Sequence, residues 1–203
     1  MRRVRIETLA RGSAALRELV QDVRAGSVLA IPTESSYGLA VDPRNGTAVR
    51  RVFALKGREE VKPLLVVVAN RGQLEDLGVA APGETLDRFF TFWPAPLTIT
   101  LPLRAPLPAS SGAAALAVRV PAHPPLRDLL EATGPLTATS LNRSGAAPCD
   151  DPDEAERAFG LEVDVLVDGG RTPGGPPSTL LDATVDPPRV LRAGAFPWPT
   201  ERR

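Results

Sequence analysis

Apolar positions along the chain follow two periods. After Ser13, residues Leu16, Leu19, Val20 and Val23 recur at helical spacing and stop at Gly26, which predicts an amphipathic helix with a serine N-cap and a glycine C-terminus. Val28-Leu29-Ala30-Ile31 is an unbroken apolar run ending at Pro32, a residue that cannot donate to a ladder, and reads as a buried strand. A short strand is expected near 38–41. Asn45 or Thr47 can cap a second helix whose apolar face is Val49, Val52 and Phe53; the same spacing brings position 56 onto that face, so Lys56 is expected to aim inward. Leu64–Val68 reads as a buried strand opened by Pro63, and 71–77 and 83–92 as helical segments. Leu97-Thr98-Ile99-Thr100-Leu101 alternates as a half-buried strand. Further strands are expected at 115–120, 136–139, 163–167, 178–181 and 190–192, with helices at 124–131 and 152–159. Several strands are consecutive, so an α/β (α+β) fold with one mixed sheet and flanking helices fits better than a regular βαβ array. One domain is expected over 1–203, with its core at about 10–195 and a weak tail at 196–203.

Composition changes this picture little. At 203 residues with 43% hydrophobic content, a single core is within reach. Lys plus Arg and Asp plus Glu are each 24, so only a local basic surface, and not global charge, could serve nucleic acid. One cysteine excludes an internal disulfide and a cysteine-rich zinc site, and a cytoplasmic enzyme is the expectation. No apolar run approaches the roughly 20 residues that span a bilayer, and the start Met1-Arg2-Arg3-Val4-Arg5 lacks the apolar stretch of a signal peptide.

The phosphate loop G-x-x-x-x-G-K-[ST], the dinucleotide motif G-x-G-x-x-G, G-x-S-x-G and H-E-x-x-H are all missing. A lone histidine, His123, stands at a helix start and reads as structural. What remains is a set of cations and hydroxyls at strand ends: Thr33, Lys56, Arg58, Lys62, Arg119, Ser140, Asn142, Ser144, Ser178 and Arg192. Guanidinium forks suit carboxylates and phosphates, and ammonium groups serve phosphate as point charges. Thr33 and Ser178 could equally satisfy strand-end backbone groups, and Ser140 and Asn142 are ordinary turn formers. Arg119 is sharper, because it interrupts the apolar strand Leu116-Ala117-Val118-Arg119-Val120, where a charge should be paired or bind something. Glu34 cannot favour a phosphate, so a backbone hydrogen bond or a hold on one of the cations is expected of it.

In order, Pro32-Thr33-Glu34-x-x-Tyr37-Gly38-Leu39, Lys56-Gly57-Arg58, Lys62-Pro63-Leu64, Trp93-Pro94-x-Pro96-Leu97-Thr98, Ala117-Val118-Arg119-Val120-Pro121, Ser140-x-Asn142-x-Ser144-Gly145, Ser178-Thr179 and Leu191-Arg192-x-Gly194 resemble the YrdC/TsaC family of threonylcarbamoyl-AMP synthases. The resemblance runs over roughly 10–195 and suggests the short, single-domain form. It implies one twisted mixed sheet with a concave, positively lined cavity. It also implies condensation of L-threonine, bicarbonate and ATP to threonylcarbamoyl-AMP and pyrophosphate. That product would supply the threonylcarbamoyl modification of an adenosine in tRNAs, transfer being done by other proteins; tRNA contact would be weak or indirect, and no membrane is involved.

By the same resemblance, Lys56 and Arg58 are the catalytic cations, and Thr33, Arg119, Ala138 and Ser178 hold L-threonine. Lys56, Arg58, Lys62, Ser140, Asn142, Ser144 and Arg192 hold ATP. Mg²⁺ would bridge the phosphates without a carboxylate cage of the protein's own. The pattern departs from the family at Lys62 (often Asn), Val67 (His in some members), Pro148 (elsewhere a serine that touches the nucleotide) and Ser35-Ser36. Two other readings stand beside it: a double-stranded RNA or tRNA-binding module without catalysis, and a carbamoyl-transfer domain of the hydrogenase-maturation type.

Overall fold

The computed structural model describes residues 1–57 and 62–199. In chain order its elements are β1 (Arg2–Arg5), α1 (Ala14–Ala25), β2 (Leu29–Pro32), β3 (Tyr37–Ala40), α2 (Gly46–Lys56), β4 (Val66–Val67), α3 (Arg71–Asp76), α4 (Gly83–Phe90), β5 (Leu97–Pro102), β6 (Ala115–Arg119), α5 (Pro124–Thr133), β7 (Leu136–Thr137), β8 (Thr139–Ser140), α6 (Pro152–Phe159), β9 (Val165–Asp168), β10 (Thr179–Asp182) and β11 (Arg189–Arg192). Short polar side chains fix the helix starts. Ser13 Oγ accepts from Leu16 N, Asn45 Oδ1 from Ala48 N, and Asp151 from Asp153 N and Glu154 N. His123 does the same for α5, its Nδ1 accepting from Leu126 N at 3.2 Å, which accounts for the only histidine structurally. Gly26 closes α1 at φ 85°, a left-handed conformation that glycine adopts at no steric cost.

The mixed α/β class holds, but the single sheet does not. The strands form two hydrogen-bonded sheets, in the orders β1-β9-β2-β3-β8 and β11-β10-β5-β6-β4-β7. Both mix parallel and antiparallel pairs: β2 runs parallel to β9 and antiparallel to β3, and β6 runs parallel to β4 and antiparallel to β5. The split has a local cause. The stretch 136–140 changes partner within five residues, β7 pairing with β4 and β8 with β3. At the change, Ala138 N donates to Leu65 O and Thr137 N to Val41 O. The buried Thr137 hydroxyl carries the ladder across the junction, accepting from Val41 N at 3.0 Å and donating to Leu39 O at 3.1 Å.

Strand alternation sorts the second sheet into a core face and an open face. Leu97, Ile99, Leu101, Leu116, Val118 and Leu181 are fully buried in one apolar cluster. Their neighbours Thr98, Ala117, Arg119 and Leu180 point the other way, into a cavity. A second cluster, with Leu19, Leu29, Ile31, Val67 and Leu130, lies under α1 and α5.

Two sequence expectations need correction, and one strand was not foreseen. The apolar run 64–68 is regular only at Val66–Val67, because Leu64 N donates instead to Ala109 O. The N-terminus contributes a strand that its three arginines disguised: β1 pairs in parallel with β9, and Arg3 is satisfied by Asp153, Glu156 and Asp168. The supposed weak tail is anchored through 198. Phe196 and Trp198 pack edge-on against Phe92 at 5.9 and 5.3 Å, and Thr179 Oγ1 donates to Phe196 O at 2.6 Å. Among the described residues no helix is long and apolar enough to cross a membrane.

Replacing Thr137 by valine keeps the shape and leaves the Val41 N–H without its acceptor. Thr137→Val is expected to lower unfolding stability by about 2 kcal/mol or more in urea denaturation. A loss below about 0.5 kcal/mol would show that the hydroxyl does not splice the sheets.

Candidate active site

The cavity has a volume of about 800 Å³ and opens where the two sheets part. It collects strand ends and loops that lie far apart in sequence. Thr33 comes from the β2–β3 turn, Lys56 from the end of α2, Arg119 from β6 and Ala138 from the β7–β8 junction. Ser140, Asn142 and Ser144 come from the following turn, Ser178 from the start of β10 and Arg192 from β11, and Lys62 is exposed at the rim. Every site residue expected from the sequence therefore lines one cavity, except Arg58, which lies outside the described residues.

The hydrogen bonds refine what these groups do. The Lys56 ammonium is buried and directed at the 140–142 turn, donating to Ser140 O at 2.6 Å, Asn142 Oδ1 at 2.8 Å and Asn142 O at 3.2 Å. An ammonium has three N–H donors, so Lys56 organises the turn and reaches a ligand chiefly through its charge. Ser144 N donates to Lys56 O, and Arg143 donates to Leu55 O while pairing with Glu162. The turn is thus riveted to the C-terminus of α2 from both sides. The Asn142 side chain spans it, Oδ1 accepting from Ser140 Oγ at 2.7 Å and Nδ2 donating to Ala146 O at 2.7 Å.

Thr33 lines the cavity, yet its hydroxyl serves its own turn. It donates to Ser36 O at 2.8 Å and accepts from Ser35 N and Ser36 N, the strand-end duty that the sequence left open as an alternative. Ser178 Oγ lies 2.7 Å from Thr98 Oγ1, and Arg192 donates to Ser178 O through Nη2 at 2.9 Å. This corner depends on a close approach. A Cβ at Gly194 would fall 2.2 Å from Pro177 O, so only glycine lets the strand carrying Arg192 lie against the Ser178 backbone.

Arg119 is the most deeply buried cation of the site. Burial lowers its pKa, the Glu34 carboxylate beside it opposes that shift, and the neighbouring charge of Arg192 adds to it. Arg119 Nη1 lies 2.9 Å from Glu34 Oε1. Among the described residues neither Glu34 oxygen nor Arg119 Nε has a hydrogen-bond partner, so the contact is an ion pair without hydrogen-bond alignment. Glu34 thus holds a cation and makes no backbone bond.

Sequence reasoning missed Thr98, Asp150 and the loop residues Gly174, Gly175 and Pro177, all of which line the cavity. Alternation in 97–101 points Thr98 away from the core, but nothing local says what covers that face. Asp150 pairs with Arg171, and Gly174 N donates to Ser35 O, so this loop closes over the β2–β3 turn. Val67, where some relatives have His, is buried in the second cluster and is not among the lining residues; Pro148 is.

The Sua5/YciO/YrdC family model, described as telomere recombination, matches residues 21–194. The chain belongs to this family. It is 38% identical over 179 residues to a threonylcarbamoyl-AMP synthase of Pyrococcus abyssi, covering 86% of this chain and 52% of the relative. It is 41% identical over 157 residues to a threonylcarbamoyl-AMP synthase of Halorhodospira halophila, covering 76% of this chain and 82% of the relative. The chain thus spans about half the length of the first and most of the second. The crystal structure of P. abyssi Sua5 complexed with L-threonine superposes with a TM-score of 0.84 at 34% identity, over 97% of this chain and 58% of that one. Full-length HypF, at 20% identity and a TM-score of 0.73, shares the fold over 90% of this chain and 29% of its own.

Tyr37 ties the site's turn to the loop after β9, donating to Gly170 O at 2.8 Å and accepting from Gly169 N at 3.2 Å. Burial pushes its phenol from 10.0 up to about 12. The folded state therefore holds this proton more tightly than the unfolded chain. The resulting stability is complete below pH 10 and is lost as pH rises towards 12. As the only tyrosine, it should give a single absorbance titration near pH 12 in the folded protein; ionisation near 10 would contradict the burial.

Proposed function

We propose that this chain is a threonylcarbamoyl-AMP synthase, a nucleotidyltransferase that condenses L-threonine, bicarbonate and ATP and releases pyrophosphate. The observation that carries the reading is the convergence, in one cavity, of a buried guanidinium with a separate cationic turn, in a chain 38% identical to a protein of that name. The reaction must bring two anions together, which calls for cations and positioning more than for a nucleophilic side chain.

In this reading bicarbonate takes up a proton and loses water to give CO2, and the amine of threonine attacks it, forming the N–C bond of a carbamate as a proton leaves the nitrogen. A carbamate oxygen then attacks the α-phosphorus of ATP, and the bond to the β-phosphate oxygen breaks to release pyrophosphate. Arg119 takes the threonine carboxylate, since it is a cation that interrupts an apolar strand and lines the cavity, and a guanidinium suits a carboxylate. Ser178 offers a hydroxyl fixed by Thr98, and Ala138 leaves room beside it. The 140–144 turn, held by Lys56, faces the nucleotide together with Lys62 and Arg192. Arg58 keeps the same assignment on the resemblance alone.

Magnesium fits this site only as a companion of the nucleotide. Among the described residues no cluster of three metal-binding side chains exists, and the cavity offers cations and hydroxyls with Asp150 as its acid. The bound ion would offset charge on the phosphates. Catalysis without a membrane, with the product passed to separate tRNA-modifying proteins, completes the proposal. The RNA-binding alternative has no observation in its favour here, and the HypF likeness extends to fold alone.

Pyrophosphate release is expected to require threonine, bicarbonate and ATP together; equal release without threonine would refute the synthase reading. Arg119→Ala should raise the KM for threonine by about tenfold or more and the KM for ATP by less than about threefold. The reverse pattern would assign Arg119 to the nucleotide.

A further inference from the structure

Glu34 is an anomaly beside a cavity built for anions: it is not itself a lining residue, but it stands against Arg119, which is. Its carboxylate is buried beside Arg119, and neither oxygen has a hydrogen-bond partner among the described residues. A glutamate kept to orient an arginine would be expected to share two aligned N–H···O bonds with it. Here there is one 2.9 Å ionic contact without that alignment, while Arg119 Nε also stays unbonded. What Glu34 contributes is therefore its charge. That charge is local: it acts on Arg119 and on His123, which caps α5, while Arg192 stands close enough to Arg119 to act on it unfavourably. Arg192, on β11, lines the same cavity, with its guanidinium on Ser178 O. Without Glu34, two guanidinium groups would stand together uncompensated, the usual arrangement for binding a phosphate dianion.

We propose that Glu34 is a specificity-determining residue: by neutralising Arg119 it makes that end of the cavity a site for a zwitterionic amino acid and keeps phosphate groups out of it. The inference rests on the synthase reading, which requires one cavity to hold a polyanion and an amino acid without exchanging their places. A neutral arginine–glutamate pair offers an amino acid a donor for its carboxylate and a negative potential for its ammonium. It offers a phosphate little, because every gain at Arg119 is opposed at Glu34. Lys56, Lys62 and the 140–144 turn line the same cavity. With phosphate kept from Arg119, these groups are left to receive the polyanion.

The test compares ligands of similar size that differ in charge: L-threonine, 2,3-dihydroxybutanoate (hydroxyl in place of ammonium) and inorganic phosphate. Calorimetric titration into the full chain without nucleotide reads each affinity. The wild type should prefer threonine to dihydroxybutanoate by at least about tenfold, and bind phosphate weakly. In Glu34→Gln that preference should fall below about threefold, phosphate should bind at least about tenfold more tightly, and it should now compete with threonine. Glu34→Asp, which restores the charge, should restore the wild-type order. An unchanged threonine-to-phosphate ratio in Glu34→Gln would overturn the proposal. If that variant does not fold, a wild-type protein that binds dihydroxybutanoate as well as threonine would overturn it too. A wild type that binds no threonine would refute the synthase reading, while the phosphate comparison between wild type and Glu34→Gln would still decide the role of Glu34.

Discussion

The structure turns on the change of hydrogen-bond partner at residues 136–140. Five residues serve two sheets, and the switch is possible because the Thr137 hydroxyl completes the ladder where the backbone leaves it. A buried backbone N–H without a partner would make such a junction costly. With the junction satisfied, the sheets diverge, and the space between their open faces becomes the cavity. Ala138 sits at the hinge of this divergence, where a small side chain keeps the cleft open. The turn at 140–146 leaves the junction at once, which is why its polar groups line the cavity.

Period-2 alternation then decides which side chains meet there. The same strands that bury Leu116, Val118 and Ile99 must present Ala117, Arg119 and Thr98 to the opposite face. Arginine at that position is tolerable because Glu34 arrives from the β2–β3 turn to offset it. Lysine at position 56 is tolerable because the 140–142 turn wraps it with oxygen acceptors. The two buried cations of the site thus meet different partners: Arg119 a carboxylate, Lys56 the oxygens of the 140–142 turn.

Much of this was legible in the sequence. Ser13, Asn45 and Gly26 announced their helix ends because capping is local chemistry, and helical spacing alone turned Lys56 inward. Arg119 stood out because a charge inside Leu116–Val120 has no bland explanation. What stayed hidden depends on long-range pairing. No local signal divides one sheet into two, since the division rests on contacts of 137 with 39 and 41. Strand β1 was hidden because Arg3 is neutralised by acids some 150 residues away in sequence. The tail looked weak because Thr179 and Phe92, which anchor Phe196, are far from it in sequence. Thr33 and Lys56 both line the cavity, while their hydrogen bonds serve the protein's own turns.

The central claim is that one cavity joins a carbamate made on threonine to the α-phosphate of ATP. The most direct measurement is mass analysis of the product formed from ¹³C-labelled bicarbonate, L-threonine and ATP. The account predicts a threonylcarbamoyl-adenylate that retains the labelled carbon between the threonine nitrogen and the adenylate phosphate. An unlabelled adduct of threonine with AMP, or label confined to unreacted bicarbonate while ATP is consumed, would contradict it.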